Sequence, residues 1–194
     1  MSSFLVGLDL GQAADYTALV VIERVEQQKA KPHFHVRHIQ RFQLGTSYPV
    51  VVERVKSIIT QKPLEGKAQL VVDATGVGAP VVDLLRQAGL SPVAIMITGG
   101  DTVSQEPLVL RVPKRDLVST LQILLQEGRL KVAESLPEAS ILVKELLTFQ
   151  VKITASAHDV YGSWREGARD DVVLAICLAA WYSGGRRERP FLIG

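Results

Sequence analysis

Cysteine is nearly absent from this 194-residue sequence, in which Cys177 stands alone. One cysteine cannot form a disulfide within the chain, and there is no cluster of cysteine and histidine residues that would favour a zinc site. Because Cys177 lies in an apolar run, we expect it to be buried and to behave as a small hydrophobic residue in a reducing compartment.

Long apolar runs are missing as well. No stretch approaches the roughly 18 residues that a transmembrane helix requires, so the sequence predicts no membrane span. The first residues, Met1 to Leu5, lack a basic segment followed by an apolar core, and we therefore expect no signal peptide. These absences favour a cytoplasmic protein.

A strong charge of either sign is also absent, because 22 lysine and arginine residues face 20 aspartate and glutamate residues, a net charge of +2. This balance neither requires nor excludes a nucleic-acid partner. If the acidic residues converge on one site, basic residues must predominate elsewhere on the surface, and a phosphate-binding stripe becomes possible. Hydrophobic residues make up 47% of the sequence, which is typical of a globular domain with a substantial core.

Hydrophobic periodicity predicts strands and helices in a regular order. The runs 4–10, 17–25 and 34–42 are typical of consecutive antiparallel strands joined by short turns. Helices and strands follow, and strand–helix–strand order implies parallel crossovers. These later elements are helix 51–59, strand 69–73, helix 79–87, strand 92–98, a helix from 114 that Gly128 ends, a helix that a capping box at 135–138 introduces and that runs to about 149, and helix 170–182. We predict one α/β domain over 1–185, with a mixed sheet and helices on both faces, and a basic tail over 186–194.

Three local features accompany these elements. The polar, glycine-containing stretch 99–107 is predicted to be a mobile loop. Ser135 and Glu138 have the spacing of a capping box, which predicts the start of the helix that follows them. His33 and His35 share one face of a strand, but without a third metal ligand we expect both side chains to face solvent.

Four aspartates stand at the ends of predicted elements. Asp9 ends the first strand, Asp73 ends a later apolar strand, and Asp170 and Asp171 open the apolar last helix. Each has an ordinary structural explanation, because aspartate is common in turns and at helix N-termini. The segment 75–78, Thr-Gly-Val-Gly, also resembles a phosphate cradle, although the lysine of a P-loop is missing.

The combination of these acids is more specific than any one of them. Converging carboxylates repel one another, so such a cluster is expected only where cations neutralise it. All-oxygen ligation suits Mg²⁺ or Mn²⁺, and two such ions can activate a water and stabilise the leaving oxygen of a phosphodiester. We expect Asp9 to bridge the ions because its strand is central, with Asp73, Asp170 and Asp171 completing the ligand shells.

Three motifs contain these acids: Val-Gly-Leu-Asp-Leu-Gly at 6–11, Leu-Val-Val-Asp-Ala-Thr-Gly-Val-Gly at 70–78 and Gly-Ala-Arg-Asp-Asp-Val-Val-Leu-Ala at 167–175. Together with Val-Pro-Lys at 112–114, they resemble the nuclease domain of the large terminase subunit, the DNA-packaging motor of tailed bacteriophages. The resemblance follows the expected order and covers nearly the whole chain.

This resemblance implies a ribonuclease H-like fold and a metal-dependent endonuclease that cuts concatemeric DNA during genome packaging. Asp9, Asp73 and one or both of Asp170 and Asp171 match the acidic triad of the family, and Asp15 matches a further acidic position. The implied cofactors are two Mg²⁺ or Mn²⁺ ions. The implied partners are double-stranded DNA, a terminase ATPase motor domain, the small terminase subunit and the portal, in the cytoplasm of a bacterial host.

Two features depart from the family pattern. The sequence lacks the Gly-x-x-x-x-Gly-Lys-Ser/Thr motif of the ATPase motor, so we expect an excised domain, a standalone relative or a domesticated prophage remnant. Arg169 stands where the family often has histidine, and it can hold a phosphate or pair with a carboxylate. Lys114, Arg115, Arg165 and Arg169 flank the acids, and each can contact DNA or be an ordinary solvated charge.

Three alternatives remain open. Another ribonuclease H-like nuclease, such as a Holliday-junction resolvase or a transposase core, would use the same acids and differ in substrate. A sugar kinase or actin-like ATPase shares the motif Gly-Leu-Asp-Leu-Gly, but its fold needs two such domains, too many for 194 residues. A non-catalytic module that docks on DNA or on a motor would keep the fold and bind no metal.

Overall fold

The computed structural model describes residues 3–11, 15–76, 78–148, 150–153, 159–162 and 170–185. Within these residues the chain forms ten strands and five helices. The strands are β1 Ser3–Asp9, β2 Ala18–Gln27, β3 Ala30–Arg41, β4 Ala68–Asp73, β5 Val93–Thr98, β6 Ser104–Glu106, β7 Val109–Pro113, β8 Leu130–Val132, β9 Gln150–Ile153 and β10 Asp159–Gly162. The helices are α1 Tyr48–Ile59, α2 Gly78–Gln87, α3 Lys114–Gln126, α4 Ala139–Thr148 and α5 Asp171–Gly185.

Eight strands form one mixed sheet in the order β6-β7-β5-β4-β1-β2-β3-β8. Strands β1, β2 and β3 form the predicted antiparallel meander, while β4, β5 and β7 continue the sheet parallel to β1. Strands β9 and β10 form a separate antiparallel pair. The predicted fold class, a mixed sheet with antiparallel strands followed by parallel ones, is confirmed.

Helices cover both faces of the sheet, as predicted. Because side chains alternate along a strand, β1 presents Val6 and Leu8 to one face and Leu5 and Gly7 to the other. Val6 and Leu8 belong to a buried cluster with residues of α1 and α2. Leu5 belongs to a second cluster with residues of α3, α4 and α5. The central strand β1 is therefore covered on both sides, and only its ends can reach solvent.

Small residues bring α5 into direct contact with β1. A Cβ atom added to Gly7 would lie 1.9 Å from the carbonyl oxygen of Ala175 and 3.3 Å from the Cβ atom of Ala179. Only glycine permits this approach, because any side chain would meet the backbone of the helix. All ten residues from Asp171 to Ala180 are buried, which confirms the prediction of a buried last helix. Cys177 is among them, and burial raises the pKa of its thiol.

The edge strands depart from the prediction. The stretch 99–107 was expected to be a loop, but its last part forms strand β6, which pairs with β7 in a hairpin. Strand β8, which has three residues, forms the other edge of the sheet and pairs with β3. Segments this short carry almost no periodicity of their own, so their pairing depends on the neighbouring strand.

Two local predictions are wrong. The carboxylate of Glu138 does not close a capping box, because its Oε2 accepts a hydrogen bond from the backbone N–H of Arg41 at 2.7 Å, and α4 begins after it at Ala139. His33 and His35 are half-buried rather than solvent-facing, with ring centroids 6.3 Å apart. Among the described residues, no helix has the length and apolar character needed to cross a membrane.

Candidate metal centre

Asp9 and Asp73 end two neighbouring parallel strands. The register of β1 and β4 pairs Leu8 with Val72, so the next position places Asp9 beside Asp73, where strands lie about 4.8 Å apart. By alternation, Asp9 faces the same side as Gly7, and Asp73 the same side as Val71. Both carboxylates therefore lie on the face of the sheet that α5 covers.

Asp9 is buried, with 8% of its surface exposed, and its pKa is raised well above the ordinary range. Burial is the largest cause, followed by the negative charges of Asp73, Asp171 and Asp170, while Lys114 acts in the opposite direction. Charges influence one another this way only at short range, so the structure brings the four predicted aspartates into one electrostatic neighbourhood.

A tight turn after β4 holds Asp73. Its Oδ1 accepts a hydrogen bond from the N–H of Thr75 at 2.8 Å, and the hydroxyl oxygen of Thr75 accepts one from the N–H of Ile97 at 2.9 Å. A Cβ atom added to Gly78 would lie 2.2 Å from the carbonyl oxygen of Asp73. Burial raises the pKa of Asp73, and the hydrogen bonds from Thr75 oppose this shift. The small residues of the motif at 75–78 thus shape the turn that holds Asp73.

The adjacent residues Asp170 and Asp171 have different surroundings. Asp170 is half-buried, its carbonyl oxygen accepts the N–H of Leu174 at 2.8 Å, and its carboxylate lies 3.5 Å from Nζ of Lys114. Asp171 is buried, and its Oδ2 lies 3.4 Å from Nη2 of Arg41. The first is the N-cap residue of α5 and lies beside α3, whereas the second is turned toward β3.

Two charged residues in this region carry no local sequence signal: Arg41, which is half-buried at the end of β3, and Glu145, which is buried in α4. Oε2 of Glu145 accepts the N–H groups of Val172 and Val173 at 2.9 and 3.0 Å, and Oε1 accepts a hydrogen bond from the guanidinium of Arg41. Burial raises the pKa of Glu145 to about 7, while the two N–H donors and Arg41 act against the shift. These partners are distant in sequence, so periodicity could not reveal them.

The family model of the terminase RNase H-like domain matches residues 6–180 of this chain. The chain belongs to this family. Among solved structures, the large terminase nuclease from thermophilic phage G20c with bound magnesium is 24% identical, with a TM-score of 0.66, over 94% of this chain and 82% of that one. The same nuclease with bound cobalt is 24% identical, with a TM-score of 0.66, over 94% and 81%.

The HK97 bacteriophage large terminase is 16% identical, with a TM-score of 0.63, and the match covers 94% of this chain but 40% of that one. These likenesses confirm the predicted ribonuclease H-like fold. No curated protein matches the sequence. The family match confirms the predicted resemblance and leaves no support for the sugar kinase alternative.

The basic residues predicted to flank the site of this terminase RNase H-like domain lie in different places. Lys114 lies beside Asp170. Arg115 binds Asp101 instead, with Nη1 2.6 Å from Oδ1 and Nη2 donating to the carbonyl oxygen at 3.1 Å. Arg165 and Arg169 lie outside the described residues, as does the basic tail 186–194.

Asp15 is exposed between β1 and β2, and no described contact joins it to the four aspartates of the terminase domain. In the part of the chain that the structure describes, no three acidic, histidine or cysteine side chains already stand together as a metal-binding group. The aspartates therefore share one electrostatic field without forming a closed ligand shell. Their oxygen donors fit Mg²⁺ or Mn²⁺, because hard divalent cations prefer carboxylates, and the pKa of Asp9 is raised first by burial and then by the neighbouring negative charges that a cation would neutralise.

Proposed function

We propose that this domain is a Mg²⁺- or Mn²⁺-dependent endodeoxyribonuclease. The observation that carries the proposal is the buried carboxylate of Asp9, whose pKa is raised by burial and by the charges of Asp73, Asp171 and Asp170. A buried group under such repulsion destabilises the fold unless a cation or a proton compensates it. Perturbed carboxyls of this kind are typical of functional sites.

The four aspartates have distinct roles in this proposal. Asp9 would be the central ligand, because its strand lies beside that of Asp73 and the charges of Asp171 and Asp170 act on its carboxyl. Asp73 and Asp171 would be further ligands, and Asp170, beside Lys114, would contribute as well. When bound, two divalent cations supply an activated water and stabilise the leaving oxygen of a phosphodiester. The chain itself contributes fixed oxygen donors on a rigid sheet and a helix packed directly against it.

Relatives support the use of divalent cations. The large terminase nuclease of phage G20c has been solved with magnesium and with cobalt. Both ions accept oxygen ligands, and this chain offers the carboxylates of four aspartates as oxygen donors.

The biological role that we propose is the cutting of concatemeric viral DNA during genome packaging, in the cytoplasm of a bacterial host. Family membership supports this role, as does the match to part of the HK97 large terminase, of which the chain spans 40%. The proposed partners are double-stranded DNA, a terminase ATPase motor domain, the small terminase subunit and the portal. Lys114, Arg115, Arg165 and Arg169 are proposed to contact the DNA backbone, and Asp15 to be a secondary acidic residue.

Cleavage of supercoiled plasmid with Mn²⁺ tests the proposal. We expect the wild-type chain to nick and linearise the plasmid, and Asp73→Ala to lose at least about 100-fold in rate, since it removes one proposed metal ligand. Asp83→Ala is the matched control, because Asp83 is an exposed aspartate of α2 that pairs with Arg86.

Equal cleavage by wild type and Asp73→Ala would remove Asp73 from the mechanism. Absence of Mn²⁺ binding by the wild type at millimolar metal, measured by calorimetry, would contradict the nuclease proposal and favour a non-catalytic module. A parallel assay on a four-way junction tests the resolvase alternative, which requires faster cutting of the junction than of linear DNA.

A further inference from the structure

The N-terminus of α5 is held by a side chain from another helix. The first N–H groups of a helix have no partner within it, and leaving such groups buried without an acceptor is costly. Val172 and Val173 are fully buried, and their N–H groups both donate to Oε2 of Glu145. The side chain of Glu145 thus accepts two of the free N–H groups at the start of the helix that carries Asp171.

Arg41 connects this cap to the sheet. It is the last residue of β3 and pairs with Ala18, which in turn pairs with Asp9, so all three lie in one row across the sheet. Its guanidinium contacts Oε1 of Glu145 and lies 3.4 Å from Oδ2 of Asp171. A planar guanidinium can reach two carboxylates at once, which an ammonium group does less well.

Arg41 is itself held on further sides. Its guanidinium lies over the ring of Tyr16, 4.7 Å from the ring centroid, and its backbone N–H donates to Oε2 of Glu138 at 2.7 Å. Strand β3, helix α4 and the turn before β2 therefore all restrict the position of this one side chain.

We infer that Arg41 and Glu145 form a positioning pair that fixes the start of α5 and the carboxylate of Asp171 relative to Asp9, without ligating metal themselves. The inference rests on the proposed nuclease function. Both oxygens of Glu145 already accept hydrogen bonds, Oε2 from two backbone N–H groups and Oε1 from Arg41, so neither is directed at a cation. Partners that orient metal ligands in this way commonly change metal affinity or activity by about 10–100-fold when they are altered.

The test is Mn²⁺ binding by the full chain, measured by calorimetry, with cleavage kinetics and thermal unfolding on the same samples. Arg41→Lys keeps the charge but loses the planar group, and Glu145→Gln keeps one acceptor but turns an amide toward Arg41. We expect both to weaken Mn²⁺ binding about 10-fold and to lower kcat, with the number of bound ions and the KM for DNA unchanged. Arg54→Lys and Glu134→Gln are matched controls at exposed positions and should bind Mn²⁺ as the wild type does.

The double variant Arg41→Met with Glu145→Gln removes both charges of the pair, so neither member is left without the other if a single variant fails to fold, although Asp171 also loses its contact with Arg41. It should also bind Mn²⁺ about 10-fold more weakly. Folded variants with lower thermal stability but wild-type Mn²⁺ affinity and kcat would overturn the inference and leave the pair a purely structural one. A reduced number of ions bound by Glu145→Gln would overturn it too, because Glu145 would then be a ligand. If the wild type binds no Mn²⁺, the nuclease proposal itself fails, and the inference fails with it.

Discussion

The two faces of the central strand β1 differ in what they can tolerate. Toward α1 and α2, the strand presents only apolar side chains, such as Val6 and Leu8, which fill a conventional hydrophobic layer. Toward α5 it presents Leu5, then Gly7 without a side chain, then the acid Asp9. The first face contributes stability through buried apolar area. The second face has no side chain at Gly7 and buries less apolar area there, which lets the helix that carries Asp171 lie against the sheet.

Both faces bury apolar side chains, but only the face toward α5 also carries the aspartates of the proposed site. Burying Asp9 beside three other carboxylates works against folding, and the apolar clusters on the two faces offset that effect. Changes on the two faces of β1 should therefore have different consequences, and neighbouring residues in sequence offer the cleanest tests.

Gly7→Val should produce the largest effect. The added side chain would meet the carbonyl oxygen of Ala175, a backbone atom that cannot move without shifting α5. Overpacking usually costs about 1–3 kcal/mol, and a backbone obstacle places this substitution above that range, at roughly 4 kcal/mol or more. Urea unfolding followed by circular dichroism measures the loss. A wild-type midpoint would show that α5 does not lie this close to β1.

Leu8→Ala tests the opposite face at the next position. Leu8 is fully buried, so its truncation should lower the free energy of unfolding by about 2–5 kcal/mol. Its side chain points away from α5, and Mn²⁺ affinity measured where the variant is folded should stay at the wild-type value. If Leu8→Ala weakened metal binding, the separation between the two faces would not hold.

The smallest expected effect concerns Asp9 and pH. The pKa of Asp9 is raised in the folded state, so folding favours the protonated carboxyl. Below about pH 4 the carboxyl is protonated in both the folded and the unfolded state and does not affect stability. As the pH rises above that value, the charge of Asp9 increasingly destabilises the metal-free protein. Glu145 acts in the same direction between its ordinary pKa and about 7. In chelator, Asp9→Asn should therefore melt higher than the wild type at pH 8 by about 2–4 °C, which corresponds to ~1 kcal/mol in a domain of this size.

That difference in melting temperature should shrink at pH 5. Mn²⁺ should raise the melting temperature of the wild type more than that of Asp9→Asn, because the cation neutralises the negative charge of the Asp9 carboxylate. Scanning calorimetry at the two pH values, with and without Mn²⁺, measures both effects. A variant that melts lower than the wild type at pH 8 in chelator would contradict the account of Asp9 given above.

Much of the architecture follows from local patterns. Alternation and apolar runs predicted the β1–β3 meander, the parallel strands β4 and β5, and the buried helix α5. Asp9 and Asp73 stood out because each directly follows an apolar strand, and such positions meet at one edge of a sheet. Strands β6 and β8 were not predicted because three residues cannot show a period. The role of Glu138 was not predicted because its hydrogen-bond partner, the backbone N–H of Arg41 in β3, lies 97 residues away in the sequence.

The sequence by itself determined the order of the longer elements and the aspartates that the proposed site needs, because burial and turn preference depend on the nearest few residues, and its motifs determined the family. Tertiary structure alone decided how Asp170 and Asp171 differ, since one lies beside Lys114 and the other beside Arg41. It alone also joined Arg41 to Glu145, 104 residues apart. The physical reason is that a buried charge needs a specific partner at a specific distance, and the register of strands and the packing of helices choose that partner.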